Sequence, residues 1–372
     1  MANASNVRQD KVRFIVGDME AVNGTFVWTD PSTDTGAPKL PARAESRFLP
    51  TDAELIDNSE ALDGYAGAIS GTRGAIGMGG TLVTELRANA AATLWPTHVR
   101  QLMASGFECS AYSASAATLI PSTKAVAGWA NEDREAKNPG TMSLMECLID
   151  NNSADEWTGI RGAVLATKIS LGTNGLVLYT SEVTGLVENS LILDVTDGDL
   201  SGFASEPSGQ GNIPAVVKGA TLVVKYHDDD GETTITPSRI RNLEIDLAPN
   251  IVRIEDPTAA EGFAISPVFY DGAIGVTFEM ADEADYDGGG NVTAGTIMAG
   301  MKSGRGFIEI DLTLTLDSDL GQTIQYEIPR IQYDAERANA DGARAFTVTG
   351  QAVRQNRGTS TSPITVTYTH GS

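Results

Sequence analysis

Apolar and polar residues alternate along much of this chain with a period of two, the spacing that sends successive side chains to opposite faces of a strand. Ile308, Ile310, Leu312, Leu314 and Leu316 interleave with Glu309, Asp311, Thr313 and Thr315. Asp317-Ser318-Asp319-Leu320-Gly321 then supplies turn residues, and Ile324, Tyr326 and Ile328 alternate back, which predicts a hairpin. Phe346 and Val348, then Ile364, Val366 and Tyr368, continue the pattern, and Leu222 and Val224 lead to a second hairpin turn at Asp229-Asp230-Gly231. Each half of the chain also carries one short helix, in the same place. In the first, Pro96 suits the opening turn, Val99, Leu102 and Met103 share a face, and Gly106 suits the stop. In the second, Thr293 can cap the start, Ile297, Met298 and Met301 face inward, and Gly304 ends it. An apolar strand precedes each helix, at Thr81–Leu86 and Val276–Met280. The expected fold class is mainly β: antiparallel sandwich or barrel units, each carrying one short helix.

The two helices belong to an internal repeat at an offset of 198 residues. Gly74-Ala75-Ile76-Gly77 recurs as Gly272-Ala273-Ile274-Gly275, Asp63-Gly64-Tyr65-Ala66 as Glu261-Gly262-Phe263-Ala264, and Met103-Ala104-Ser105-Gly106 as Met301-Lys302-Ser303-Gly304. A unit this long is not a solenoid module. It predicts two tandem copies of one domain: 1–205, a linker over 206–218 centred on the Pro- and Gly-rich stretch Ser205–Pro214, and 219–372. The copies differ after the helix. In the second, the strand Phe307–Leu316 begins at once. In the first, the comparable strand is expected near Gly162–Leu171, after a polar insertion at about 107–158 that reads as an elaborated surface loop, with Met142–Ile149 either helix or strand. Thr29–Pro50, with Pro31, Pro38, Pro41 and Pro50, reads as an extended arm rather than core.

With 372 residues, each copy is large enough to hold its own core. The formal charge of -23 argues against a grip on nucleic acid phosphates, since there is no basic stripe to release counterions. It fits equally a solvated surface. Met1–Glu20 has no apolar core of signal-peptide length, and no apolar run approaches the ~18 residues of a membrane helix. Cys109 and Cys147 are too few for a disulfide framework, so reduced thiols in a protein made in a cytoplasm are expected.

Candidate chemistry is sparse. The cluster Gly71–Gly80 runs into a strand rather than a helix and lacks a Gly-Lys-Ser, so it reads as a glycine-rich bend, not a nucleotide loop. Glu283, Asp285, Asp287 and Gly288 match half of a calcium loop, but the position that should supply a bidentate glutamate is Ala294. Asp228-Asp229-Asp230-Gly231-Glu232 has the charge without the alternation, and both clusters read as solvated turns. His98, His227 and His370 lie far apart with no second ligand at metal spacing. Gly67-Ala68-Ile69-Ser70-Gly71 misses the GxSxG spacing by one residue. No catalytic, cofactor-binding or metal-ligating residue is therefore assigned, and no enzyme is expected. Of the tryptophans, Trp95 is expected to staple the helix start, Trp28 lies in the same copy, and Trp129 and Trp157 flank the insertion, with a core role ranked over an interface role.

The order of features resembles the major tail tube proteins of long-tailed bacteriophages. The resemblance is carried by a strand pair, a helix ending in Ser-Gly, an amphipathic hairpin and then Asp341-Gly342-Ala343-Arg344-Ala345-Phe346-Thr347-Val348-Thr349-Gly350-Gln351-Ala352. Leu243–Val252 followed by Gly272–Met280, and an opening that includes Phe48-Leu49-Pro50-Thr51-Asp52-Ala53-Glu54, add to it. It covers most of the chain as a pattern, with no single diagnostic motif. It implies β-sandwich domains whose strands close into a ring around a channel, rings that stack through arms and loops, and DNA passing through the bore without specific binding. The implied partners are other copies of this chain, other tail proteins (terminator, tape measure, distal tail) and no membrane. The implied location is the virion tail. Because such rings are typically six-fold assemblies of one domain, the duplication implies a trimer with pseudo-six-fold symmetry; a six-chain ring is the alternative geometry. The competing function is a β-sandwich binding module, as in capsid decoration or carbohydrate binding.

Overall fold

A computed structural model describes residues 12–20, 24–28, 39–50, 55–56, 72–73, 77–89, 97–113, 116–121, 140–149, 155–171, 175–188, 193–195, 210–214, 220–228, 231–235, 240–247, 250–252, 268–270, 274–281, 294–317, 321–340, 343–353 and 362–370. In chain order these form β1 (Val12–Met19), β2 (Arg47–Pro50), β3 (Leu55–Ile56), β4 (Thr72–Arg73), β5 (Gly77–Glu85), β6 (Arg87–Asn89) and helix α1 (Thr97–Ala104). Then come β7 (Phe107–Ser113), β8 (Ala116–Pro121), β9 (Met142–Ile149), β10 (Asp155–Leu171), β11 (Leu178–Val187), β12 (Leu193–Val195) and β13 (Gln210–Pro214). The rest comprises β14 (Ala220–Asp228), β15 (Gly231–Ile235), β16 (Ile240–Asp246), β17 (Asn250–Val252), β18 (Val268–Tyr270), β19 (Gly275–Ala281), helix α2 (Ala294–Ser303), β20 (Phe307–Asp317), β21 (Gln322–Ala340), β22 (Ala343–Ala352) and β23 (Thr365–Thr369). The chain is mainly β, and its named strand pairings are all antiparallel.

The alternating runs became the strands they predict. Ile308, Ile310, Leu312 and Leu314 on β20 are fully buried, as are Ile324, Tyr326 and Ile328 opposite them on β21. Both helices stop where left-handed glycines follow, Gly106 at φ 88° and Gly304 at φ 67°.

One strand order occurs twice. In the first half the ladder runs β1-β9-β10-β11-β5-β2, and in the second β14-β20-β21-β22-β19-β16. Gly185 of β11 and Gly350 of β22 hold the same place in a repeated Val-Thr-Gly, Val183–Gly185 and Val348–Gly350. A Cβ on Gly185 would lie 2.4 Å from Ile160 Cγ2, and one on Gly350 would lie 2.5 Å from Ile331 Cγ2. The two sheets meet edge to edge where Lys168–Leu171 at the end of β10 pair with Leu243–Asp246 of β16. A further arm, β7-β8-β23, joins the early part of β21. Among the described residues the pairings branch and none returns to its starting strand, so these strands form an open sheet system rather than a closed barrel.

Three expectations need correction. The insertion expected as a surface loop over 107–158 instead supplies β7, β8 and β9, with Cys109, Leu119, Leu144, Met145 and Cys147 fully buried. The partner equivalent to β20 is therefore β9, and Gly162–Leu171 belongs to β10, the counterpart of β21. The segment expected as an arm ends in β2, and its Leu40, Ser46 and Phe48 are buried, because this stretch runs along β5. Part of the expected linker, Gln210–Pro214, pairs with β6.

The halves also share a core. One cluster joins Leu86, Val99, Leu102 and Tyr179 of the first half to Tyr226, Phe278, Leu312, Tyr326 and Val366 of the second. A separate cluster under β1, β2 and β5 includes Ile15, Phe48, Met78 and Leu82. Where the shared core crosses, the fully buried hydroxyls of Tyr179 and Tyr326 hydrogen-bond to each other, and burial pushes both phenols up. Tyr326→Phe is expected to cost about 1–3 kcal/mol by orphaning the Tyr179 hydroxyl. The double Tyr179→Phe/Tyr326→Phe variant is expected to cost less than the sum of the single changes. Chemical denaturation of the four proteins checks this, and additive losses would mean the pair carries no coupling.

Candidate functional site

Three polar features, an aromatic cluster and one structural joint stand out. Glu20 ends β1 beneath a bulge of β10, where the register shifts between Arg161 and Val164 around Gly162 at φ 60°. The Glu20 side chain is buried and accepts hydrogen bonds from Thr141 Oγ1 (2.5 Å), Ser143 Oγ (2.9 Å), Gly24 N (2.5 Å) and Gly162 N (2.6 Å). Burial raises its pKa, with the hydrogen bonds opposing that rise. Both carboxylate oxygens are engaged by protein donors, so the group is a structural clasp rather than a free acid. Nothing in the sequence marks it, since a lone glutamate at a strand end reads as solvated.

His98 lies on the inner face of α1, edge-on to Tyr368 with ring centroids 5.1 Å apart. Burial lowers its pKa to about 3. A folded-state pKa below the ordinary 6.5 means that its contribution to stability is full above pH 6.5 and is lost as pH falls toward 3. Between pH 7 and pH 5 this one residue is expected to remove about 2 kcal/mol of unfolding free energy. His98→Leu is expected to flatten that part of the pH–stability curve; unchanged slopes in paired urea titrations would discount it.

His227, Glu232 and Glu309 come within 4.8 Å of one another through their ligand atoms. The β14–β15 hairpin places His227 opposite Glu232, and the β14–β20 ladder sets Glu309 beside them. His227 Nε2 lies 2.9 Å from Glu309, and the Lys225 ammonium lies 3.0 Å from Glu232 and 3.5 Å from Glu309. The lysine already supplies the cation that both carboxylates face. The His227 ring stacks on Phe307 at 4.4 Å, with the Arg330 guanidinium 4.6 Å from that same ring. Sequence spacing missed this group because its members sit on three strands.

Trp28 and Trp157 are buried, and Phe26 stacks on Trp157 at 5.6 Å, so these aromatics form core, as ranked. Trp95, Trp129, the acidic run 283–288 and the Gly67–Gly71 segment lie outside the described residues.

The joint between the halves has the most extended geometry. Ile169 pairs with Ile245 and Ser170 with Glu244, and the Leu247 amide donates to the Thr167 carbonyl at 2.8 Å. Lys168 closes it on the outer face, 3.4 Å from Glu244 and 3.2 Å from Asp246. These carboxylates raise the Lys168 pKa, with Asp246 the larger influence. Continuous pairing of this kind adds sheet to sheet without a new fold.

No family model matches the chain. It is similar to a probable transcriptional regulatory protein of Photobacterium profundum, with 27% identity over 158 residues, which is 39% of this chain. The chain spans 62% of that protein's length.

Proposed function

We propose that this chain is a structural subunit of a hollow tube, of the kind that forms the non-contractile tail of long-tailed bacteriophages. The observation that carries the reading is the doubled six-strand order whose two copies meet through an in-sheet joint. A sheet unit that already joins its own duplicate edge to edge is suited to join further copies, and closing such a series removes exposed edges. The charge of -23 suits a bore along which DNA slides rather than binds. In this reading the chain has no catalytic residues. Three chains supply six sheet units per ring, the rings stack, and terminator, tape-measure and distal-tail proteins are its neighbours in the virion, after synthesis in the host cytoplasm.

A gene-regulatory role would follow the name of the similar Photobacterium protein, but so acidic a chain offers poor electrostatic support for holding DNA. A binding module would be favoured by a groove of exposed aromatics. Among the described residues the exposed large apolar side chains are Val27 and Leu49.

Electron microscopy of the purified protein, and of the particles that contain it, tests the reading. Stacked hollow rings with three repeating outer features are expected. Clear six-chain symmetry would keep the tube and remove the trimer, and discrete monomers with no tube in the particle would return the binding module.

A further inference from the structure

We propose that the joint inside the chain is repeated between chains: the end of β21 beyond Ala335 pairs antiparallel with the outer edge of β2 in a second copy. The inference rests on the tube reading and deepens it by naming the surfaces that join one subunit to the next.

The doubled strand order fixes which residues correspond. Thr184 of β11 and Thr349 of β22 hold the same place, and across their ladders lie Val164 and Asp334. Counting along from these, the joint residues Lys168, Ile169 and Ser170 of β10 correspond to Ala338, Asn339 and Ala340 of β21. On the other side, Thr277 of β19 corresponds to Gly79 of β5 through the 198-residue repeat. Their partners are Glu244 of β16 and Leu49 of β2. The observed pair Ser170–Glu244 thus becomes Ala340–Leu49, and Ile169–Ile245 becomes Asn339–Pro50.

The Ala335 amide donates to Met301 Sδ 3.2 Å away, and beyond it both edges lack a strand partner among the described residues. Among the described residues β2 pairs only with β5, and residues 332–340 pair only with β22. In the first half the corresponding edge of β10 is occupied by β9 and then by β16. The chain therefore fills this edge with a strand once internally, and among the described residues its duplicate beyond Ala335 has no strand partner. Leu49 is 57% exposed, the most exposed large apolar side chain among the described residues, and lies at the register position where Glu244 meets β10. Exposed Gln332, Asp334 and Glu336 along β21 keep that edge polar until it is covered.

The backbone chemistry fits an antiparallel partner. Because the Leu247 amide donates to the Thr167 carbonyl, the odd-numbered residues of β10 and β16 turn their peptide groups toward each other. By correspondence Phe48 and Pro50 present theirs outward. Phe48 offers an amide and a carbonyl, whereas Pro50 offers a carbonyl only, which the Asn339 amide would meet. A proline at an edge that still accepts one register discourages the others.

In this register Ala340 and Leu49 form a non-hydrogen-bonded pair, whose Cα atoms lie about 4.5 Å apart, within disulfide reach. The test is the full-length Leu49→Cys/Ala340→Cys variant under mild oxidation, run on non-reducing gels beside each single variant. Native Cys109 and Cys147 are fully buried. Expected is a reductant-sensitive ladder of chain multiples that neither single variant gives and that Leu49→Cys/Glu336→Cys, four residues out of register, does not give. Ordinary rings without cross-linking would overturn the joint and leave the tube reading standing. A cross-linked ladder from a protein that never forms tubes would keep the joint and sink the tube. Hydrogen exchange on the unaltered chain needs no variant. On assembly the amides of Asn339 and Phe48 are expected to gain protection together, and unchanged exchange at both would overturn the proposal.

Discussion

Glu20→Ala is expected to lower the free energy of unfolding by about 2–6 kcal/mol, because two buried amides lose their acceptor at roughly 1–3 kcal/mol each. The carboxylate joins three separate stretches: the end of β1, the entry to β9 at Thr141 and Ser143, and the β10 bulge at Gly162. Its removal leaves the buried Gly24 and Gly162 amides without their acceptor, while the two hydroxyls can turn elsewhere. The loss should appear as a lower denaturant midpoint at unchanged m. The pH dependence has a definite sign. Burial raises the Glu20 pKa above 4.5, so the fold favours its protonated form more than the unfolded chain does. Its contribution is full below that ordinary value and declines as pH rises through the raised one. The penalty of Glu20→Ala is therefore expected to grow as pH falls toward 4.5. A penalty that shrinks on acidification would mean that the hydrogen bonds, not burial, dominate the carboxyl.

Gly80→Val is expected to detach β2 from β5, at a cost of about 3 kcal/mol or more, through overpacking and loss of Phe48 burial. A Cβ at Gly80 would lie 2.0 Å from the Arg47 carbonyl oxygen and 3.0 Å from the Phe48 Cα, both backbone atoms that no rotamer change can move. The same variant should assemble poorly even where it folds, because β2 carries one side of the proposed chain-to-chain joint. Gel filtration and microscopy of the folded fraction check this. A variant that assembles as the parent does would show that β2 is not part of the contact between subunits. The residue also gives the Gly71–Gly80 cluster a physical role at one position, close strand approach.

The helices, the β20–β21 hairpin and the β14–β15 hairpin were legible because each is set by neighbours in sequence: alternation decides the face, and Gly106 and Gly304 decide the stops. The insertion was misread for the same reason. Pro121, Pro139, Gly140 and Asp155-Glu156 made the stretch read as a loop, whereas β8 pairs with β7 beside it and with β23 nearly 250 residues away. Glu20 was illegible because three of its four donors come from two distant segments. The His227 group was missed likewise, being assembled from β14, β15 and β20.

The sequence alone determined that the chain is mainly antiparallel β, that short helices end before Gly106 and Gly304, and that three short segments recur at one offset. Periodicity and glycine stops act over a few residues, and a repeat can be read without a fold. Tertiary structure decided how the copies meet. The Tyr179–Tyr326 bond, the common core and the β10–β16 joint depend on which strand edge lies beside which. Backbone amides and carbonyls are the same in every strand, so no residue type announces its partner. Only the folded register shows which strand edges are paired among the described residues.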